Sequence, residues 1–410
     1  MSDDVEILRD LARRYAQAAA KPVQDQRRDL WRRHNSLVAT RPLVICTGLF
    51  FWHELGLYDN LQCSDPLFRQ FETELKIMLL RDRLDDDFVI EPYLVVPPVY
   101  GVPSGQDRWG ATIVFSELTE KGGSFKMLPP IREESDFDKL TAYPHVIDEG
   151  ATARNFARLQ EAIGDIVPLA QSRAPVYSRW VADISTDLAR LRGLEQIMWD
   201  MLDRPRWLHR MCAFLRDGVL RQQDQAQAAG HWRKFNSFNQ AVNYGCDLPD
   251  PTAEDQPVGR DKLWCFMAAQ EMAQVSPAMH EEFILQYQLP IMAKFGLVAY
   301  GCCEDLTHKI DMLRRIPNLR RIAVTPWADV RKCAEQIRTD YVMSWRPSPA
   351  EMICNGFDPA RINRVIRQGL ADARGCHVDI TLKDVQTIAG NFDNLIEWVR
   401  IVRGIVDETA

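Results

Sequence analysis

The chain has 410 residues, a formal net charge of −7 at pH 7, and 46% hydrophobic residues. Such a chain can bury one large core or two ordinary ones, and its composition is that of a globular protein. The acidic balance, with no long basic run, argues against nucleic acid as a partner. No stretch approaches the ~20 apolar residues of a membrane span, and the first residues lack the pattern of a signal peptide.

The ten cysteines are scattered along the chain. This spacing is typical of reduced thiols in a cytoplasmic protein and not of a disulfide framework. We therefore expect a cytoplasmic location, with most of the cysteines acting as small buried side chains. The glycine motifs of dinucleotide-binding folds and of phosphate-binding loops are absent from the sequence.

Apolar periodicity and turn residues predict the elements of the first third of the chain. They are a helix at 5–34, a strand at 43–46, a helix at 65–81, strands at 88–90 and 93–96, and an irregular, partly β excursion at 99–123.

From residue 143 onward, predicted strands and helices alternate regularly. The predicted helices lie at 151–164, 188–199, 206–229, 277–294, 309–315, 330–338, 360–373 and 392–406. The predicted strands begin at 166 and lie around 235–244 and at 297–301, 321–325, 341–344 and 377–380. About eight strand–helix units favour an α/β fold, a single closed (β/α)8 TIM barrel. Residues 1–40 would be its N-terminal helical extension and 41–410 the barrel, with the excursion and the loop 246–262 over the barrel mouth.

One segment combines a strand end with reactive side chains. Gly296-Leu-Val-Ala-Tyr-Gly-Cys-Cys-Glu304 runs from a short apolar strand into a helix, and in α/β barrels this corner carries the chemistry. Cys302 or Cys303, together with Glu304, is therefore the best candidate for the chemical centre. The alternatives are that the cysteines are packing residues and that Glu304 complements the following helix.

Other candidate residues also follow predicted strands. Trp52 and His53 end an aromatic run that would form either core packing or a flat ligand-binding wall with a polar group. Asn243 and Tyr244 lie near a strand end, where they could hydrogen-bond a substrate. Arg346, in a proline-framed loop, is the best single cation for an anionic group.

The order of several motifs resembles that of a known superfamily. These motifs are Asp107-Arg-Trp-Gly110, Asp148-Glu-Gly-Ala-Thr-Ala-Arg-Asn155, Leu191-Arg-Gly-Leu-Glu195 with Met201-Leu-Asp-Arg-Pro-Arg206, and the Ser-Pro helix at 275–285. Together they resemble the uroporphyrinogen decarboxylase superfamily, and within it the branch of cobamide- and thiol-dependent methyltransferases. The resemblance covers roughly residues 40–405.

One departure from the superfamily pattern excludes uroporphyrinogen itself as a substrate. The decarboxylases carry arginines after the first strand, where they bind the acidic arms of the porphyrinogen. Here that place has the sequence Cys46-Thr-Gly-Leu-Phe-Phe-Trp-His53, which contains no arginine. A substrate with many carboxylates needs fixed cations, so we expect a ligand with at most one or two anionic groups.

The methyltransferase branch implies a zinc ion, bound by a His-x-Cys pair and by a cysteine near the last strand. In this chain Tyr300 replaces the histidine, Cys302 matches the first cysteine, and Cys376 and His377 lie near the expected place of the second. The resemblance thus implies zinc with a displaced ligand set of Cys302, Glu304, Cys376 and His377, whose donor types suit that metal. His377 as a satisfied core histidine is the alternative.

The same resemblance implies several substrate contacts. Glu91 lies near the position of a substrate-binding carboxylate and is a candidate catalytic residue. The remaining candidates for substrate binding are Tyr93, Tyr100, Gln270, Glu271 and Tyr300.

We therefore predict a methyltransferase that moves a methyl group between a small molecule and a corrinoid protein or thiol, with metal assistance. One alternative is a carboxy-lyase that acts on a small organic acid, and another is a non-catalytic barrel that binds a small molecule. The corrinoid would be carried by a partner protein over the barrel mouth. The sequence is also compatible with a homodimer.

Overall fold

A computed structural model describes residues 3–101, 109–112, 114–116, 127–178, 182–236 and 242–409. Its α-helices are α1 (Asp3–Ala19), α2 (Val23–Asn35), α3 (Pro66–Asp82), α4 (Glu149–Ile163), α5 (Ser185–Arg192), α6 (Leu194–Asp203), α7 (Pro205–Ala228), α8 (Pro277–His280), α9 (Gln286–Met292), α10 (Ile310–Leu313), α11 (Val330–Ile337), α12 (Pro359–Asp372) and α13 (Asp393–Thr409). Its strands are β1 (Leu43–Leu49), β2 (Leu94–Val96), β3 (Val114–Phe115), β4 (Met127–Leu128), β5 (Leu169–Gln171), β6 (Trp264–Met267), β7 (Leu297–Tyr300), β8 (Leu319–Val324), β9 (Val342–Trp345) and β10 (His377–Val385).

The central feature of the fold is a curled, six-stranded parallel sheet in the order β1-β10-β9-β8-β7-β6. The strands β2 and β5 form a separate parallel pair, and β3 and β4 a small antiparallel hairpin. Pairing of the first strand with the last is a feature of barrels. Within the described residues, however, no ladder connects β1 with β2 or β5 with β6. The parallel α/β architecture is present, whereas the predicted closed barrel is not confirmed.

Strand alternation divides the two faces of the sheet. On β10, Val378, Ile380 and Leu382 belong to the large apolar core formed with the helices. The intervening Asp379 and Thr381 are buried polar residues that face the other side. A second core lies between α1, α3, α4 and β2. No helix in the described parts of the chain is long and apolar enough to cross a membrane.

At the amino ends of the strands, buried polar residues form a cluster that we call the amino-end cluster: His34, Asn35, Arg321, Ser344 and Asp379. Asp379 Oδ2 accepts a hydrogen bond from Arg321 Nη2 at 2.7 Å and lies 3.1 Å from His34 Nε2. Asp379 Oδ1 accepts from Ser344 Oγ at 2.8 Å, and Arg321 Nη1 donates to Asn35 Oδ1 at 2.9 Å. The end of α2 is thereby attached to the sheet.

Helix boundaries follow local chemistry. Asp65 caps α3 by accepting from the backbone N–H groups of Leu67 and Phe68, with Pro66 in the first helical turn. The single helix predicted for residues 5–34 is instead two helices, because Pro22 at the start of α2 lacks an N–H.

Several other predictions differ from the structure. Residues 88–90 are irregular, and the predicted strand around 235–244 lies partly outside the described residues, with no strand in the rest. Strand β6 was not predicted. The loop 246–262 lies at the amino ends of the strands and not over the mouth, because Asp247 pairs with Arg320 near the start of β8. The excursion at 99–123 contains β3, and most of its residues lie outside the described ranges.

Candidate active site

A loop with two adjacent thiols follows β7. The chain turns at Gly301, whose φ of 105° favours glycine, and a Cβ there would lie 2.8 Å from side-chain atoms of Ala323 and Leu306. Arg346, which follows β9, donates from Nη1 to the Cys302 carbonyl oxygen and from Nη2 to that of Gly301, the latter at 3.5 Å. The guanidinium group therefore fixes the loop from the neighbouring strand end.

The two thiols lie next to charged residues of β10. Cys302 Sγ and Cys303 Sγ are 3.6 Å apart, and Lys383 Nζ lies 3.8 Å from the first and 3.9 Å from the second. Asp384 Oδ2 lies 2.5 Å from Lys383 Nζ and 3.8 Å from Cys303 Sγ. Together with Arg346, these four residues form what we call the thiol centre.

The thiol centre favours one thiolate. A hydrogen bond from the Cys302 thiol lowers the pKa of Cys303, and Lys383 lowers it further, against the opposing effects of burial and of the Asp384 carboxylate. The same hydrogen bond raises the pKa of Cys302, so that thiol keeps its proton. Cys303 is the more exposed of the two. A thiolate is the nucleophilic form of cysteine.

Glu304 lies beneath this centre. Its side chain is fully buried, and its two carboxylate oxygens accept hydrogen bonds from the backbone N–H groups of Ala269 at 3.0 Å and Cys302 at 2.8 Å. It thus connects the ends of β6 and β7. This placement favours a role in positioning the thiol loop, in contrast to the predicted catalytic or metal-ligating role.

A cavity of about 440 Å³ lies against β1, the strand that neighbours β10 in the sheet. Its wall includes Thr47 and Gly48 of β1, and Thr47 pairs in register with Lys383. A Cβ on Gly48 would lie 2.6 Å from Asp384 Oδ1, so the two strands touch at this point. Three predicted site residues, Trp52, Glu91 and Tyr93, also line the cavity.

The carboxylate of Glu91 is held by a network at the edge of this cavity. Its Oε1 accepts hydrogen bonds from Asn236 Nδ2 at 2.7 Å and from the Tyr244 hydroxyl at 3.0 Å. Its Oε2 lies 3.5 Å from Arg28 Nη2. Burial raises the pKa of Glu91 and outweighs these partners. The network includes the predicted Tyr244, and the backbone N–H of the predicted Asn243 donates to Asn236.

A second pair of predicted residues, Gln270 and Glu271, follows β6. The Glu271 carboxylate accepts hydrogen bonds from Ser185 Oγ at 2.8 Å and Thr186 Oγ1 at 3.0 Å. Burial and the charge of Glu271 raise the pKa of the nearby Asp183 to about 8. Glu271 follows two residues after Ala269, whose backbone N–H donates to Glu304.

Three predicted substrate-binding residues lie away from these groups. The Tyr300 hydroxyl is buried against His280 Nε2 at 2.9 Å and Gln288 Oε1 at 3.0 Å, on the helix side of the sheet. His53 is exposed, and its Nδ1 lies 3.2 Å from the carbonyl oxygen of Phe50. The hydroxyl of Tyr100 donates to the carbonyl of Ala174 at 2.8 Å.

The predicted zinc ligands do not converge. His377 is the first residue of β10 and pairs with Val342, whereas Lys383 lies six residues further on, about 20 Å at 3.3 Å per residue. Cys376 Sγ points to the carbonyl oxygen of Ala334. A shared site with Cys302 requires both residues at a carboxyl strand end, but β10 starts at 377 and does not end near it.

The donor set around the thiols does not fit zinc either. The Lys383 ammonium lies against both sulfur atoms, where a metal would bind, and Glu304 is occupied by backbone N–H groups. No three His, Cys, Asp or Glu side chains form a candidate metal site in the described parts of the chain.

Lys383 and Asp384 were not predicted as site residues from the sequence. The signal was present, because polar Asp379, Thr381 and Lys383 alternate with apolar residues well beyond the predicted end of the strand at 380. Extending the strand would have moved its carboxyl end to Lys383. Asn236, which holds Glu91, had no such signal.

Comparison with solved structures shows a likeness to a methyltransferase from Methanosarcina mazei, with a TM-score of 0.50 and 11% sequence identity over 93% of this chain and 98% of that one. At this identity the likeness is one of fold. No protein-family model and no curated protein sequence matches the chain.

Proposed function

We propose that this protein is a methyltransferase in which the Cys303 thiolate is the nucleophile. The observation that carries the proposal is the thiol centre, where one thiol donates to another beside the Lys383 ammonium at the carboxyl ends of parallel strands. This is the edge where α/β enzymes carry reactive groups. The shared fold with the methyltransferase from Methanosarcina mazei supports the reaction class.

In the proposed step, the Cys303 sulfur attacks an electrophilic methyl carbon in line with its leaving group. The sulfur–carbon bond forms as the bond from the methyl group to the donor atom breaks, and the electron pair leaves with that atom. Lys383 and the Cys302 thiol stabilise the thiolate before the attack. Arg346 and Glu304 hold the loop that presents it.

Turnover requires that the methyl group then leave Cys303 for a stronger nucleophile. The family resemblance implies a reduced corrinoid on a partner protein as that acceptor, and we propose this class of partner. The thiol centre lies in part on the surface, since Cys303 is exposed. A partner could therefore reach it at the carboxyl ends of the strands.

Activity measurements on variants test the proposal. The purified protein is incubated with methylated amines, methyl thioethers and methylcobalamin, and loss of the donor's methyl group is measured. Cys303→Ser should abolish the reaction, because a serine hydroxyl is not ionised at neutral pH. Cys246→Ser, which changes another exposed cysteine, should leave it intact.

Full activity in the Cys303→Ser variant would contradict the proposal. Release of CO₂ from a small organic acid would favour the carboxy-lyase alternative, and ligand binding without any reaction would favour the non-catalytic one.

A further inference from the structure

The cavity beside β1 contains a carboxylate with no counter-charge among the described residues. Glu74 of α3 is partly buried and lines this cavity of about 440 Å³. Burial is the cause that raises its pKa to about 7. Within the described residues, no hydrogen bond or ion pair engages its carboxyl group. A carboxylate buried in this way costs free energy unless a ligand or water compensates it.

The other charged side chains of the cavity wall have charged partners, although the Nε of Arg81 has no hydrogen-bond partner within the described residues. Arg81 Nη2 lies 3.3 Å from Asp86 Oδ2, and its guanidinium stacks 3.9 Å from the centre of the Phe88 ring. Glu91 has the Arg28 guanidinium and the hydroxyl and amide partners described above. Glu74 therefore provides the uncompensated charge of the cavity, and that charge is negative.

The rest of the wall suits an organic cation. Trp52 and Tyr93 contribute aromatic surface and Met78 contributes a soft thioether. Aromatic faces next to a carboxylate are a common way of binding alkylated ammonium groups. Thr47 Oγ1, which lies in the same wall, has no hydrogen-bond partner within the described residues. A polar group of a ligand would satisfy it.

We propose that this cavity binds a small organic ammonium compound, with Glu74 as the counter-charge of its cationic group. Two residues of the cavity wall, Thr47 and Gly48, lie on β1 next to Lys383 and Asp384 of the thiol centre on β10. A compound bound there would lie one strand away from the thiol centre, and we assign it as the methyl-transfer substrate. That second assignment rests on the proposed function, whereas the binding itself does not.

Calorimetry with choline as the probe tests the binding at pH 8, where the Glu74 carboxyl is ionised. The neutral isostere 3,3-dimethylbutan-1-ol and the anion acetate serve as comparison ligands. We expect choline to bind at least about tenfold more tightly than either. Glu74→Gln should remove this preference, and Glu161→Gln, a change of an exposed glutamate, should keep it.

The thermal midpoint of Glu74→Gln should equal or exceed that of the wild type, because a buried charge is removed, so lost binding cannot be ascribed to unfolding. Absence of choline binding, equal binding of the neutral isostere, or preferred binding of acetate would each overturn the inference. No methyl donor is present in this experiment. Failure of methyl transfer to Cys303 therefore leaves the result for the cavity unchanged. Failure of choline binding likewise leaves the proposed methyl transfer to Cys303 untouched.

Discussion

The polar groups at the amino ends of the parallel sheet are buried and paired, whereas those at its carboxyl ends are partly exposed. In the amino-end cluster, Asp379 is fully buried and its two oxygens are shared among Arg321, His34 and Ser344. At the thiol centre, the exposed Cys303 thiol lies 3.9 Å from the Lys383 ammonium, and its pKa is lowered. Satisfied buried charges fix a fold, whereas partly exposed, perturbed groups are typical of reactive sites.

The largest effect should come from breaking the amino-end cluster. Arg321→Met would leave the Asp379 charge buried without its guanidinium partner, so the free energy of unfolding should fall by about 3–5 kcal/mol. Urea denaturation measures this loss. Arg314→Met, which removes a more exposed arginine paired with Asp311 and Asp340, should cost less than about 1 kcal/mol. Equal losses would contradict the structural role of the cluster.

The same cluster predicts loss of stability in acid. Burial raises the pKa of Asp379, but Arg321 and the hydrogen bond with His34 outweigh it, and the pKa in the folded state is lowered from 3.8. The stabilisation is therefore present above about pH 4 and is lost as the pH falls below that value. In Arg321→Met, this part of the pH dependence should become shallower.

The second largest effect concerns the thiol centre. Lys383→Met removes the cation beside both sulfurs, so the pKa of Cys303 should rise and its alkylation by iodoacetamide at pH 7 should slow by about tenfold. Mass spectrometry of the Cys303 peptide gives the rate. Lys383→Arg keeps a positive charge and should slow it less. A rate unchanged in Lys383→Met would refute activation by this lysine.

A smaller effect is expected from the partner thiol. In the wild type, alkylation of Cys303 should rise with pH through about 7 and then level off, because the thiolate is the reactive form and its pKa is lowered to about 7. Cys302→Ala removes the donated hydrogen bond, and the midpoint of the profile should move to higher pH. A midpoint that stays in place would show that the hydrogen bond between the thiols is unimportant.

The smallest effect is expected at Tyr300. Tyr300→Phe removes hydrogen bonds to His280 and Gln288 on the helix side of the sheet, which should cost roughly 1 kcal/mol of stability. The alkylation rate of Cys303 should not change. A large change in that rate would place the tyrosine hydroxyl in the reactive site, as its match to a zinc-binding histidine suggested.

The features that could be predicted from the sequence are those with a local signal. The parallel α/β architecture and the thiol loop after β7 followed from periodicity and from Gly301, Cys302 and Cys303. The predicted zinc ligands do not converge because the strand predicted at 377–380 ends too early: the alternation of polar and apolar residues continues to Lys383, which moves the carboxyl end of β10 away from His377. The contacts of Glu91 with Arg28 and Asn236 join distant segments, and no local pattern indicates them.

The central claim is that Cys303 receives the methyl group, and one measurement tests it most directly. The protein is mixed with a deuterated methyl donor for a single turnover, and the cysteine peptides are analysed by mass spectrometry. In the wild type, we predict the deuterated methyl group on Cys303 and not on Cys302. In the Lys383→Met variant, we predict a lower level of the deuterated methyl group on Cys303. Demethylation of the donor with Cys303 unmodified throughout the turnover would contradict the account.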